Sequence, residues 1–152
     1  MKKTILLIIL ILFVFSSVSV AGDYPFLKKE HPNELNVSVY VRAETDLTEN
    51  QIQDTVFAKL RRARIKPLAG YILLPEGEIF LRVSVYGDFK KDKSGPLLIK
   101  VNFVTLVPKF QYVTIGGGAH YYGIGNSATA LEQIKNILEI VLDDYLKENF
   151  DL

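Results

Sequence analysis

The chain predicts an α+β fold: a two-layer sandwich in which a mostly antiparallel sheet of three to five strands carries two helices on one face. The predicted element order is β-α-β-β-(β)-α. Three observations lead there. The stretch Thr129–Asn149 (TALEQIKNILEIVLDDYLKEN) has helical periodicity. Stepped at 100° per residue, Leu131, Ile134, Ile137, Leu138, Val141, Leu142, Tyr145 and Leu146 fall in one arc of about half the circumference, and only Ile140 lies clearly outside it. A face that wide must be buried, and a sheet is the surface to bury it. Second, NVSVYVRA (Asn36–Ala43) and EIFLRVSVY (Glu78–Tyr86) alternate between apolar and polar residues, the period of a strand with one core face. Third, the charged segment Gly87–Gly95 (GDFKKDKSG) joins the second of these to another apolar run, which reads as an antiparallel hairpin.

Taken in order, Val37, Val39, Val41 and Ala43 form the inner face of the first strand, and Asn36, Ser38, Tyr40 and Arg42 the outer. A helix is predicted over Leu47–Ile65. Thr48 at its N-cap and Gln51 three residues on make a capping box, in which each side chain satisfies the other's free backbone N–H. Ile52, Val56, Phe57, Leu60 and Ala63 supply its apolar stripe, and Pro67 is expected to end it. Ile79, Leu81, Val83 and Val85 face inward on the next strand, with Phe80, Arg82, Ser84 and Tyr86 outward. The strand from Pro96 through Val107 places Leu97, Ile99, Val101 and Phe103 inside, and Lys100 and Asn102 outside. Phe110–Ile115 and Ala119–Tyr122 read as further strand, interrupted by a bulge or turn at Gly116-Gly117-Gly118.

The amino-terminal end reads as an address. Met1-Lys2-Lys3 is a basic start, Ile5–Phe15 is an unbroken apolar run, and Ser16–Ala21 offers small residues with Ser19 and Ala21 at the −3 and −1 positions of a cleavage site. Residues 1–21 are therefore expected to be a secretory signal peptide, an uncleaved anchor being the alternative. Residues 22–35, with two prolines and no period, form a lead-in, and 36–152 a single domain. The expected location is periplasmic or secreted, with no membrane span after cleavage. Losing Lys2 and Lys3 takes Lys+Arg from 18 to 16 against 17 Asp+Glu, a net charge of −1, so no basic field points to nucleic acid. The chain has no cysteine, which excludes disulfides, thiolate metal sites, cysteine catalysis and a lipidated cysteine.

Motifs that promise chemistry are incomplete. Gly123–Ala128 (GIGNSA) matches G-x-G-x-x-A ahead of a helix, but no second parallel strand follows in these 152 residues to carry an acidic ribose ligand. A flexible turn capped by Asn126, Ser127 or Thr129 is expected instead. Gly125–Thr129 (GNSAT) approximates a nucleophile elbow, yet both histidines, His31 and His120, precede the serine. His120 has no companion at metal-ligand spacing, and Asp88, Asp92 and Ser94 do not fit a calcium loop. No cofactor or metal is expected. A small secreted hydrolase or transferase using His120 remains the enzymatic alternative.

Two surfaces carry the binding alternatives. Tyr40, Arg42, Phe80, Arg82, Tyr86 and Lys100 share the outer sheet face if the registers align, with Asn102 beside them. Aromatic side chains among basic ones make a contact surface for a protein partner or a second copy, unless the lead-in covers them. Lys59, Arg62 and Lys66 lie along one side of the first helix and offer a candidate surface for an anionic lipid or polymer. The leading expectation is a non-enzymatic accessory protein that contacts its partner through the open sheet face.

NVSVYVRA, the helix TENQIQDTVFAKLRRARI, the hairpin Glu78–Val107 and the closing helix ending DYLKEN together resemble small bacterial envelope domains. These are the lipopolysaccharide-assembly and transporter-auxiliary lipoproteins and related secreted domains. The resemblance is one of element order over most of the chain after residue 21, and the lipidated cysteine of those families is missing here. It implies an accessory or binding role in the cell envelope, with no catalytic residues to carry over.

Overall fold

The computed structural model describes residues 27–69, 77–107 and 111–150. The signal segment 1–21, and Tyr24 and Phe26 of the lead-in, lie outside the described residues. The elements are β1 (Glu34–Glu44), α1 (Glu49–Arg62), β2 (Lys66–Ala69), β3 (Ile79–Asp88), β4 (Gly95–Val107), β5 (Gln111–Gly125) and α2 (Ser127–Phe150). The strands form one five-stranded sheet in the order β2-β1-β3-β4-β5. The α+β expectation is met, and the sheet is mixed: β3–β4 and β4–β5 are antiparallel, whereas β1 is parallel to both β2 and β3. The β1–α1–β2 segment is a parallel crossover, the connection that a helix between neighbouring strands provides.

Both helices sit on the face predicted for them. Ile52, Val56 and Leu60 of α1 and Ile134, Leu138, Val141 and Tyr145 of α2 join one buried cluster with Val37, Leu81, Val83, Val101 and Phe103 of the sheet. Register aligns Val37, Leu81 and Phe103 across three strands, and Val39, Val83, Val101 and Ala119 across four. Ile140, the one apolar residue outside the arc of α2, is 58% exposed. From Leu27 onward the lead-in belongs to the helix layer. Leu27 is buried in the same cluster, its carbonyl accepts from Asn149 Nδ2 (2.9 Å), and the Lys29 backbone N–H donates to Asn149 Oδ1 (2.8 Å).

The capping box forms as read. The Gln51 N–H donates to Thr48 Oγ1 (3.2 Å) and the Thr48 N–H to Gln51 Oε1 (2.9 Å). The end of α1 differs from the expectation. The helix stops at Arg62 rather than running to Ile65, because the N–H groups of Arg64 and Ile65 turn back to the carbonyls of Arg61 and Leu60 (both 3.0 Å). That is a Schellman closure, with Arg64 at φ 61 in the left-handed position that normally holds glycine. Pro67 lies beyond it in β2, an edge strand where its missing N–H costs nothing to the ladder. Left-handed geometry costs an ordinary residue roughly 1–2 kcal/mol, of which glycine's larger unfolded-state entropy gives back part. Arg64→Gly is therefore expected to stabilise the fold by about 0.5–1 kcal/mol, read as a higher urea midpoint at unchanged slope; a lower midpoint would contradict it.

The Gly116–Gly118 interruption is a register irregularity within one long strand. Between Val101↔Ala119 and Phe103↔Gly116, two residues of β5 face one of β4, and a second shift follows before Val104↔Thr114. At the other end, three loops are tied together by Asp46. Its carboxylate accepts from the Ser127 hydroxyl and from the Lys91 backbone N–H (3.0 Å), while the Phe89 N–H donates to the Glu44 carbonyl (3.0 Å). The Ser127 hydrogen bond, ahead of the Lys91 contacts, holds the Asp46 carboxyl below its ordinary range.

Candidate functional site

The alternation of β1, β3 and β4 leaves one set of side chains on the sheet face away from both helices, and register arranges them in rows. Tyr40, Ser84, Lys100 and His120 form one row; Arg42, Tyr86, Leu98 and Tyr122 form the next. Nearer the start of β1 come Ser38–Arg82–Asn102 and Asn36–Phe80–Val104–Thr114. All six residues expected to share the outer face do so.

That face has a closed half and an open half. Phe80 is fully buried, and Val104 and Ser38 nearly so, so the expectation of an exposed aromatic at Phe80 is corrected. The guanidinium of half-buried Arg82 lies 6.0 Å from the buried Phe80 ring centroid. Asn102 Nδ2 donates to Thr114 Oγ1 (2.8 Å), closing that side with a cross-strand hydrogen bond. The other half is accessible. Tyr40 is 41% exposed and meets the Tyr86 ring edge-on, centroids 6.0 Å apart at 62°. Such a pair is worth about 0.5–1.5 kcal/mol beyond its buried area and holds both rings upright on the sheet. Arg42, Lys100 and His120 are exposed around them, and Tyr122 is 79% exposed at the sheet's edge. The two rows contain three basic or titratable nitrogen side chains, three tyrosines and no carboxylate.

Leu98 and Tyr122 also belong to this face. Leu98 follows from the β4 alternation that puts Leu97 and Ile99 inside, whereas Tyr122 is placed by its pairing with Leu98, on the far side of the register shifts near Gly116–Gly118. His120 is exposed, in a shallow depression lined by Lys100, Val101, Asn102, Gly118 and Ala119, with no carboxylate in the lining. A histidine placed so has neither an orienting acid nor a water-excluding wall, which general-base work needs. The GIGNSA turn is structural: Asn126 Oδ1 accepts the Thr129 N–H (3.0 Å) as the cap of α2, and a Cβ at Gly125 would collide with the Thr129 side chain at 2.6 Å.

Of the three basic residues expected along the first helix, Lys59 and Arg62 line one groove with Lys135, and Lys66 does not join them. Lys66 lies in β2 and is ion-paired to Glu34 at 2.7 Å; that hydrogen bond holds the Glu34 carboxyl below its ordinary range. Lys59 is 3.3 Å from Glu139 of α2, and Arg62 lines the groove between the helices beside Glu139 and Asp143. The groove is of mixed sign. Among the described residues no His, Cys, Asp and Glu side chains cluster in a way that would hold a metal ion, and no helix is long and apolar enough to cross a membrane.

No family model matches the chain, and no curated protein matches it. Among solved structures, the PelC dodecamer from Paraburkholderia phytofirmans is similar over 77% of this chain and 91% of that one, at 13% identity and a TM-score of 0.47. An uncharacterized protein known from its crystal structure is similar over 73% of this chain and 86% of that one, at 11% identity and a TM-score of 0.34. Likenesses this distant assign no function.

Proposed function

We propose that this is a non-enzymatic binding protein of the bacterial cell envelope, exported by its amino-terminal signal segment, that docks a partner protein on the open half of its outer sheet face. One observation carries the reading: Tyr40 stands exposed on the sheet against the half-buried Tyr86 ring, with Arg42, Lys100 and His120 exposed around the pair and no acidic residue in either row. Tyrosine and arginine are the residue types that anchor protein interfaces, because they offer large contact area and directional hydrogen bonds. The Arg42 and Lys100 charges fit an acidic partner patch. The export and envelope parts of the proposal rest on the residue pattern of positions 1–21 and on the resemblance in element order.

The test is a comparison of capture from envelope extract by the wild type, the Tyr40→Ala/Tyr86→Ala variant and Ile140→Ala, whose substitution lies on the far side of the molecule. Loss of two anchor tyrosines is expected to weaken retention of the partner at least about tenfold, since each such truncation costs on the order of 1–2 kcal/mol. Ile140→Ala is expected to retain it. A partner held equally by all three proteins, or none held by any, would overturn the proposal.

A further inference from the structure

The two edges of the sheet are unlike. β2 is four residues long, contains Pro67 and carries Lys66, three of the devices that keep an edge from pairing. β5 is the opposite edge, fifteen residues long and paired to β4 alone among the described strands. Its segment Ala119–Gly125 stays in unbroken register with β4, from Val101↔Ala119 to Gly95↔Gly125. That segment, AHYYGIG, contains no Asp, Glu, Lys, Arg or Pro. Of the five exposed large hydrophobic residues among those described, three are on β5: Val113, Tyr122 and Ile124. A straight, uncharged, partly apolar edge is a template for another strand.

We propose that the Ala119–Gly125 edge of β5 pairs antiparallel with the same edge of a second copy, about a two-fold axis at Tyr122. The segment is complementary to itself under that operation. Tyr122 then lies opposite Tyr122, and His120 opposite Ile124, on the outer face; Tyr121 meets Gly123, and Ala119 meets Gly125, on the inner face. Each bulkier inner residue finds a glycine across from it, and on the outer face one tyrosine pair on the axis is flanked by two His120–Ile124 pairs, cross-strand neighbours of the aromatic and ring-on-aliphatic kind. An edge bearing charges would oppose its own copy under a two-fold axis; this one brings none. The contact is isologous, so it closes at two copies instead of propagating, and the short β2 edge does not extend it. It shares His120 and Tyr122 with the rim of the partner-docking face but leaves the Tyr40–Tyr86 pair at its centre untouched. Tyr40 lies on β1, three strands inward, about 14 Å from β5 at the usual strand spacing. The pairing would set two open faces side by side on one continuous sheet, giving a bivalent surface.

Because the chain has no native cysteine, single-cysteine variants report the contact directly. Under mild oxidation, Tyr122→Cys is expected to form a disulfide-linked dimer, since residues opposite one another across a two-fold strand pair come within bridging reach. Tyr40→Cys, exposed on the same face, is expected not to. In light scattering the wild type should be a dimer, and Ile124→Lys should raise its dissociation constant at least about tenfold by adding a charge to each edge. Circular dichroism of Ile124→Lys should match the wild type, as the residue is 75% exposed. A monomeric wild type, a dimer unmoved by Ile124→Lys, or equal cross-linking at both cysteines would overturn the proposal. Face-docking is read independently by Tyr40→Ala/Tyr86→Ala, which leaves the β5 edge intact.

Discussion

Tyr145→Ala is expected to destabilise the domain by about 3–5 kcal/mol, the range for removing a fully buried aromatic side chain. Tyr145 has no exposed surface and stacks on Phe103 with centroids 5.3 Å apart and planes at 22°, so its ring fills the contact between α2 and β4. Its hydroxyl donates to the Pro32 carbonyl (2.9 Å), tying the end of the lead-in to the same place. Truncation opens a cavity and leaves that carbonyl without this donor. Tyr145→Phe separates the two effects: it keeps the ring and loses only the hydrogen bond, for about 1 kcal/mol. The phenol also makes an alkaline prediction. Burial, and then the nearby Glu78 carboxylate, push its pKa up from the ordinary 10.0. The folded state therefore keeps a proton that the unfolded state releases, so this contribution is full below pH 10.0 and is lost as pH rises above it. Urea unfolding of the three proteins from pH 8 to pH 11 checks both parts. A loss under about 1.5 kcal/mol for Tyr145→Ala, or an alkaline limb as steep in Tyr145→Phe as in the wild type, would contradict this account.

What was legible in the sequence was whatever local chemistry decides. The Thr48–Gln51 box needs only three residues' separation and a helix after it, and it forms. The arc of α2 needs only the helical period, and it separates buried Ile134 and Leu138 from exposed Ile140. The features that escaped depend on non-local partners. Alternation says which face a side chain takes but not the direction of the neighbouring strand, so the parallel pairing of β1 with β3 carried no signal. KPLA has no period to read, and β2 exists because β1 offers it an edge. The end of α1 was misplaced because Arg64 occupies a position where glycine would have announced the turn. At the candidate site, alternation put Phe80 and Tyr40 on one face correctly, yet could not say that one is covered and the other open. Tyr122 lies opposite Leu98 only after two one-residue register shifts, which cancel in facing but move its partner along β4, and alternation along β5 does not reveal that partner.

Gly117→Val should cost about 2–5 kcal/mol, and the expected size comes from two separable terms. Gly117 is buried at φ 54, so any side chain there bears left-handed strain of roughly 1–2 kcal/mol, at the upper end for a β-branched residue. A Cβ would also stand 2.8 Å from Leu27 Cδ1 and 3.1 Å from Phe103 Cδ2, inside a packed layer where added volume costs about 1–3 kcal/mol. Gly77→Val isolates the first term, because Gly77 is also left-handed (φ 84) but has nothing within 4 Å of its Cβ position. The valine at 77 is therefore expected to cost only the strain, and the difference between the two variants measures the packing of Leu27 against Phe103. Leu27→Ala in the Gly117→Val background should recover part of that difference, since it removes one of the two obstructing side chains. Equal costs at 77 and 117, with no recovery, would mean that the lead-in yields at Leu27 without resistance. The recovery expected here instead makes Leu27 the residue by which the lead-in is anchored to the domain, through the space that the glycine in the β5 bulge leaves for it.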